Sequence, residues 1–341
     1  MTPRTIEELD ALADVDPEID AIVKSGKMPL PAFDFSDSTK AVLAMRSLMT
    51  QYDVVNEISE VDFTKINYTT RDGHHNRLLV FKPASIVKGQ HLPLIIHIHG
   101  GGGSIGTPEA TASFCQALTL KQQCVVVSIS YRLAPEHPFP TGINDCIDAV
   151  KYLAANAREV GADPALGFVL GGHSYGARAA SIISLHAQEL GLDAVITGLY
   201  FGAGGFVPEA KVPTGYADHY RSKFDERCRN ALVLNSQTHK MFLDVYAADK
   251  DSPWFQTLNV ESLDAVKGQP RAYFQVCGMD ILRDDSLIYE DILRKSGTGT
   301  RLDIYPGTPH VFWSFLQPGM IRQATKWAED TQEGFAWLLE R

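Results

Sequence analysis

Residues 168–181, Phe-Val-Leu-Gly-Gly-His-Ser-Tyr-Gly-Ala-Arg-Ala-Ala-Ser, constrain this chain more than any other stretch. Phe168, Val169 and Leu170 form a short apolar run suited to a buried strand, and the small residues from Ala177 onward suit a helix. Between them stands Gly172-His173-Ser174-Tyr175-Gly176, a G-x-S-x-G. A strand that turns sharply into a helix through a serine lifts the hydroxyl above the sheet edge. The flanking glycines relieve a turn that has no room for Cβ atoms. Ser174 is therefore the expected nucleophile. A second match, Gly102-Gly103-Ser104-Ile105-Gly106, lies inside a glycine-rich loop before a helix start at Thr107-Pro108-Glu109, and Ser104 is read as loop.

Apolar runs at about 61–70, 76–82, 92–99, 124–131, 168–172, 194–201, 271–277 and 300–305 read as strands, the first two joined by a turn at Asp72-Gly73. Helical patterns fill about 108–121, the stretch after Pro140 to 159, the stretch after Ser174 to 190, 282–296 and 321–339. This alternation predicts an α/β fold, a mostly parallel sheet with helices on both faces. Residues 1–55 read as a helical preface. Thr5 and Glu8 fit a capping box, Asp16-Pro17 a helix start, Gly26 a stop, 27–35 a loop, and 37–50 a third helix. Residues 205–260 carry no strand-like run, and an insertion of that length is expected to be a lid. The expected division is an N-terminal helical cap segment, 1–55, and a catalytic domain, 56–341, with a cap insertion at about 205–260.

Composition narrows the function. A net charge of −10 without a basic cluster argues against a nucleic-acid partner. No apolar run is long enough to span a membrane, and the acidic first twenty residues do not read as a signal peptide. Five scattered cysteines without a C-x-x-C fit reduced, buried thiols and a cytoplasmic location. No cluster has metal-ligand spacing, so no metal is expected.

An activated serine needs a base, and the base needs an acid to orient it. In open parallel sheets such groups collect beyond the C-terminal ends of strands. Gly278-Met279-Asp280 follows one late strand and Pro306-Gly307-Thr308-Pro309-His310 the next. The order Ser174, Asp280, His310 is the expected catalytic triad, with Asp284 and Asp285 as competitors for the acid. Those two are read otherwise as first-turn acids favoured by the helix dipole. Gly101 and Gly102, with the amide of Tyr175, are the expected oxyanion hole, and His99 and Gly100 support the loop. The rival reading, a phosphate-cradling loop, lacks G-x-x-x-x-G-K-[ST] and G-x-G-x-x-G spacing.

Together, His99-Gly-Gly-Gly, Tyr131-Arg132-Leu133-Ala134-Pro135-Glu136 with Phe139-Pro140, the serine turn, Gly278-x-Asp280-x-Leu282-Arg283-Asp284-Asp285 and His310 resemble the hormone-sensitive-lipase-like branch of α/β-hydrolases. That branch includes family IV esterases and arylacetamide deacetylases. The resemblance implies an eight-stranded sheet, a helical cap and a cofactor-free serine carboxylic ester hydrolase. Its substrate would be a small-molecule ester with a small to medium acyl group, deacetylation of a hydrophobic metabolite being one form. The branch often dimerises, so a homodimer is compatible. His173, Tyr175 and Ala177 depart from its usual Gly-Asp-Ser-Ala-Gly-Gly. The altered turn keeps a cyclase or lyase on the same fold as an alternative, and a ligand receptor as a third.

Overall fold

In the computed structural model, which describes residues 5–26, 32–52, 54–87, 89–258 and 262–340, the apolar runs become one eight-stranded sheet. Its strands are β1 (Val61–Thr69), β2 (His75–Pro83), β3 (Leu94–Ile98), β4 (Val125–Ile129), β5 (Phe168–His173), β6 (Gly198–Gly202), β7 (Arg271–Cys277) and β8 (Thr300–Tyr305). Their spatial order is β1-β2-β4-β3-β5-β6-β7-β8. β2 pairs antiparallel with β1 and β4, and every other pair is parallel. Every residue of β3, β4, β5 and β6 is buried, as befits strands with helices on both faces. Strand alternation sends Ile96, Val127, Leu170 and Phe201 to one core, and Ile95, Val126, Val169 and Tyr200 to the other.

The helices are α1 (Ile6–Ala11), α2 (Pro17–Lys24), α3 (Ser38–Met49), α4 (Ala112–Gln122), α5 (Thr141–Asn156), α6 (Tyr175–Leu185), α7 (Ala187–Leu190), α8 (Glu226–Arg229), α9 (Ser236–Tyr246), α10 (Arg283–Lys295) and α11 (Arg322–Leu339). Helices α5, α6 and α10 cover the first face, and α4 and α11 the second. The chain runs left from β3 to β4, then returns past β3 to β5 and proceeds right. The C-terminal ends of β3 and β5 therefore flank the topological switch, where open α/β sheets bind ligands.

The caps follow the sequence. Thr5 and Glu8 form the capping box, Asp16 caps α2 with Pro17 in its first turn, and Asp37 caps α3. Part of the loop expected over 27–35, residues 27–31, lies outside the described residues. β6 begins four residues later than its apolar run, because the Thr197 hydroxyl accepts the Phe168 amide at 2.9 Å and takes a ladder position. Pro93, which has no N–H, stands just before β3. The helix after Pro140 ends at Asn156 and continues as a short 3-10 turn to Val160. Among the described residues, 205–258 hold α8, α9 and short 3-10 turns but no strand.

Two contacts tie the flanking segments to the sheet. The N-terminal hairpin straddles Gly307: its amide donates to Leu12 O at 2.8 Å and its carbonyl accepts Asp16 N at 3.1 Å. Arg221 and Arg227 of the insertion pair with Asp10 and Asp14 of the hairpin. Helix α3 packs on α9, and Arg46 reaches from α3 to Glu136 at 2.8 Å and to Ser104 O at 3.0 Å.

Candidate active site

Ser174 stands between β5 and α6 with φ 53° and ψ −114°, a conformation few L-residues adopt. The glycines on either side are required by contact. A Cβ at Gly172 or Gly176 would collide with Ile98 O at the end of β3. The turn can therefore press against the neighbouring strand, and Ser174 N donates to Gly202 O on the other side at 2.7 Å.

Three distant segments meet at the hydroxyl. His310 Nε2 lies 2.9 Å from Ser174 Oγ, and His310 Nδ1 lies 2.6 Å from Asp280 Oδ2. Asp280 and His310 are buried, at 1% and 4% exposure, which shields their contact from water. The loops carrying them are joined directly, Met279 N donating to Thr308 O at 2.9 Å. Asp280 Oδ1 accepts Leu282 N at 2.9 Å, which fixes the carboxylate's rotation.

The competing acids are engaged elsewhere. Asp284 accepts the Arg221 and Ser222 amides at 2.7 and 2.6 Å and pairs with Arg283 at 2.7 Å. Asp285 Oδ1 accepts Val207 N at 3.1 Å. Both stand in the first turn of α10 as expected, and both also anchor the insertion to it.

The glycine loop lies over the serine. Gly100 approaches so closely that an added Cβ would sit 3.3 Å from Ser174 Cβ. Gly101 and Gly102 have φ of 114° and 62°, which only glycine adopts without strain. Their amides and that of Tyr175 have no acceptor among the described residues, Tyr175 because the first N–H groups of a helix lack an intrahelical partner. His99 holds the loop: Nδ1 lies 2.8 Å from Gly100 O, and its ring stacks on Tyr131 at 4.1 Å. Burial pushes the His99 imidazole down to about 4, so it is neutral. Ser104 is buried in the loop, with its hydroxyl unpartnered.

Two of the three departures in the turn, His173 and Tyr175, reach different parts of the fold. His173 Nε2 lies 2.9 Å from Tyr200 OH, which donates to Gln275 Oε1 at 2.7 Å. Burial first, then the charge of His310, lowers the His173 pKa to about 3. A neutral imidazole thus occupies the place of the branch's usual carboxylate. Tyr175 instead reaches α9, its hydroxyl 3.1 Å from that of Tyr246.

A cavity of about 550 Å³ opens above Ser174 and His310. Met45 and Met49 of α3, Phe242 and Tyr246 of α9, and Trp313 contribute apolar walls. Arg178, Lys223 and His239 also line it. Sequence reasoning passed over these three, although Arg178 was visible as a lone charge among small residues one helical turn after Ser174. Lys223 and His239 come from the insertion and carry no spacing signal.

A strained serine at the switch point, with histidine and aspartate from the next strand ends, defines a class. Residues 95–314 match the family described as having the alpha/beta hydrolase fold, and the chain belongs to that family, in its hormone-sensitive-lipase-like branch. An AB hydrolase superfamily protein of Schizosaccharomyces pombe is 34% identical over 82% of this chain and 80% of its own. The versiconal hemiacetal acetate esterase of Dothistroma septosporum is 30% identical over 75% and 76% of the two chains. Carboxylesterase NlhH of Mycobacterium tuberculosis is 27% identical over 96% of each. Among solved structures, vibralactone cyclase superposes with a TM-score of 0.82 at 26% identity over 96% of each chain. A bacterial heroin esterase shares the fold, with a TM-score of 0.78 at 22% identity over 97% and 99% of the two chains. The protein is an esterase-type α/β-hydrolase, a serine ester hydrolase. Among the described residues no helix is long and apolar enough to cross a membrane.

Proposed function

We propose that Ser174, His310 and Asp280 hydrolyse carboxylic esters through an acyl-enzyme. The observation that carries this reading is the continuous line of hydrogen-bond distances, 2.9 and 2.6 Å, from serine through histidine to aspartate. His310 Nε2 takes the Ser174 proton as Oγ attacks the ester carbonyl. The amides of Gly101, Gly102 and Tyr175 receive the oxyanion. His310 then delivers the proton to the departing alcohol, and water repeats the sequence to release the acid. Asp280 holds the imidazole in the tautomer with Nδ1 protonated and stabilises its cationic form. Loss of one oxyanion donor costs about 2.7–4 kcal/mol of transition-state stabilisation.

Helix α3 and the described part of the insertion, 205–258, act as the cap. Supporting this, a Cβ at Gly102 would meet Phe242 of α9, and one at Gly103 would meet Tyr246. The apolar walls suit a small to medium acyl ester, and release of acetate from a hydrophobic metabolite fits the likeness to a versiconal hemiacetal acetate esterase. The five free, buried cysteines support a cytoplasmic location. With p-nitrophenyl acetate, the protein should release a rapid burst of about one equivalent of p-nitrophenol, and Ser174→Ala should abolish it. Full activity in that variant removes Ser174 from the mechanism.

The likeness to vibralactone cyclase and the altered serine turn favour a second reading, a cyclase using the same cavity. A cyclisation that survives a serine-directed fluorophosphonate would support it over hydrolysis.

A further inference from the structure

The mechanism makes no use of the charges that line the cavity. Arg178 lies one turn along α6 from Ser174, its backbone amide donating to Ser174 O at 3.2 Å. Its guanidinium stacks against Tyr175, Tyr246 and Phe255, at 5.2, 5.7 and 5.1 Å. The rings hold the plane of the group, while its N–H edge has no acceptor among the described residues. The Lys223 side chain is 8% exposed, and its nearest partner is Asp285 Oδ2 at 3.9 Å, beyond hydrogen-bond range. Asp285 Oδ2 is itself buried without a hydrogen-bond partner. His239, also lining the cavity, is kept neutral by burial and then by the charges of Lys223, Arg178 and His310, so it adds no third positive charge.

Two cations therefore face the cavity against one carboxylate, and neither makes a direct hydrogen bond to an acidic side chain. Buried charge is costly unless it is paired. A neutral hydroxyl would hydrogen-bond there but leave the charge unbalanced. A carboxylate satisfies both, because guanidinium and ammonium bind it through charge-assisted hydrogen bonds. We infer that Arg178 and Lys223 form an anion subsite of the substrate cavity, which selects esters carrying a free carboxylate beside the scissile bond's acyl or alcohol part. The inference rests on the ester-hydrolase reading and adds a substrate class to it.

Monoethyl adipate and ethyl hexanoate, matched in acyl length and differing in the terminal carboxylate, provide the test. The ratio of their kcat/KM values at pH 7.5 should favour the acid ester about tenfold or more, the scale of one charge-assisted hydrogen bond. Arg178→Gln and Lys223→Met should each bring the ratio towards one. Where Arg178→Gln fails to fold, because the guanidinium also staples three rings, Lys223→Met alone decides. Calorimetric titration of monoethyl adipate into Ser174→Ala protein reads the subsite without turnover, so a failed hydrolase and a failed subsite give different results. Binding that weakens about tenfold on adding Lys223→Met supports the subsite. No preference for the acid ester in the native enzyme, or a preference and binding untouched by either substitution, overturns it.

Discussion

At Ser174 the chain accepts a strained backbone to present a hydroxyl, and the residues beside it make room for that turn. Gly172 and Gly176 clear the space beside β3, and Asp280 and His310 come in from later strand ends. Asp280→Asn should lower kcat about 10⁴-fold with little change in melting temperature, because an amide favours the wrong imidazole tautomer. A loss under tenfold in a properly folded variant would mean that another acid orients His310. Asp285 tests a different quantity. Burial raises its carboxyl from 3.8 to about 6, against the opposing pull of Lys223 and the Val207 amide. Between about pH 4 and 6 the folded state holds a proton that the unfolded state has released, so stability falls as pH rises. Above pH 6 the cost is complete, on the order of 3 kcal/mol. Asp285→Asn should therefore raise the melting temperature at pH 8 and change it little at pH 4. An equal shift at both values would show that ionisation of Asp285 carries no such cost.

The elements were legible to different degrees. Strands β3, β4 and β5 could be read as apolar runs because burial on both faces demands them, and the helix caps could be read because capping is local. The start of β6 could not, since a threonine hydroxyl 29 residues away from its partner replaces a ladder bond. The serine turn, both later site loops and the glycine loop were visible from spacing. Lys223 was not, because it reaches the cavity only through the fold of the insertion, which has no periodicity to extend, and Arg178 was visible only as a lone charge on α6. The N-terminal hairpin is a further case. Its hydrogen bonds to Gly307 sit three residues from His310, so removing residues 5–26 should lower kcat more than it raises KM. Steady-state kinetics on the shortened chain measure this, and unchanged kcat would show that the His310 loop holds itself.

Over the whole molecule, the sheet brings four stretches spread across some 200 residues to one edge, and α3 and α9 close over them. That architecture needs no covalent staple: all five cysteines are free and buried. Burial pushes the Cys115 thiol up to about 12, which leaves little thiolate at neutral pH. The native protein should react with much less than one equivalent of a thiol reagent such as Ellman's, and five should react in denaturant. Rapid native labelling would show a more open core than the one described.

The central claim is that Ser174 Oγ is the atom acylated, and acid-quenched mass spectrometry reads it most directly. After brief mixing with p-nitrophenyl acetate, the peptide containing residues 168–181 should carry one acetyl group on Ser174, and none should form in His310→Ala. Steady turnover with that peptide unmodified, or with the acetyl group on Ser104 instead, would contradict it.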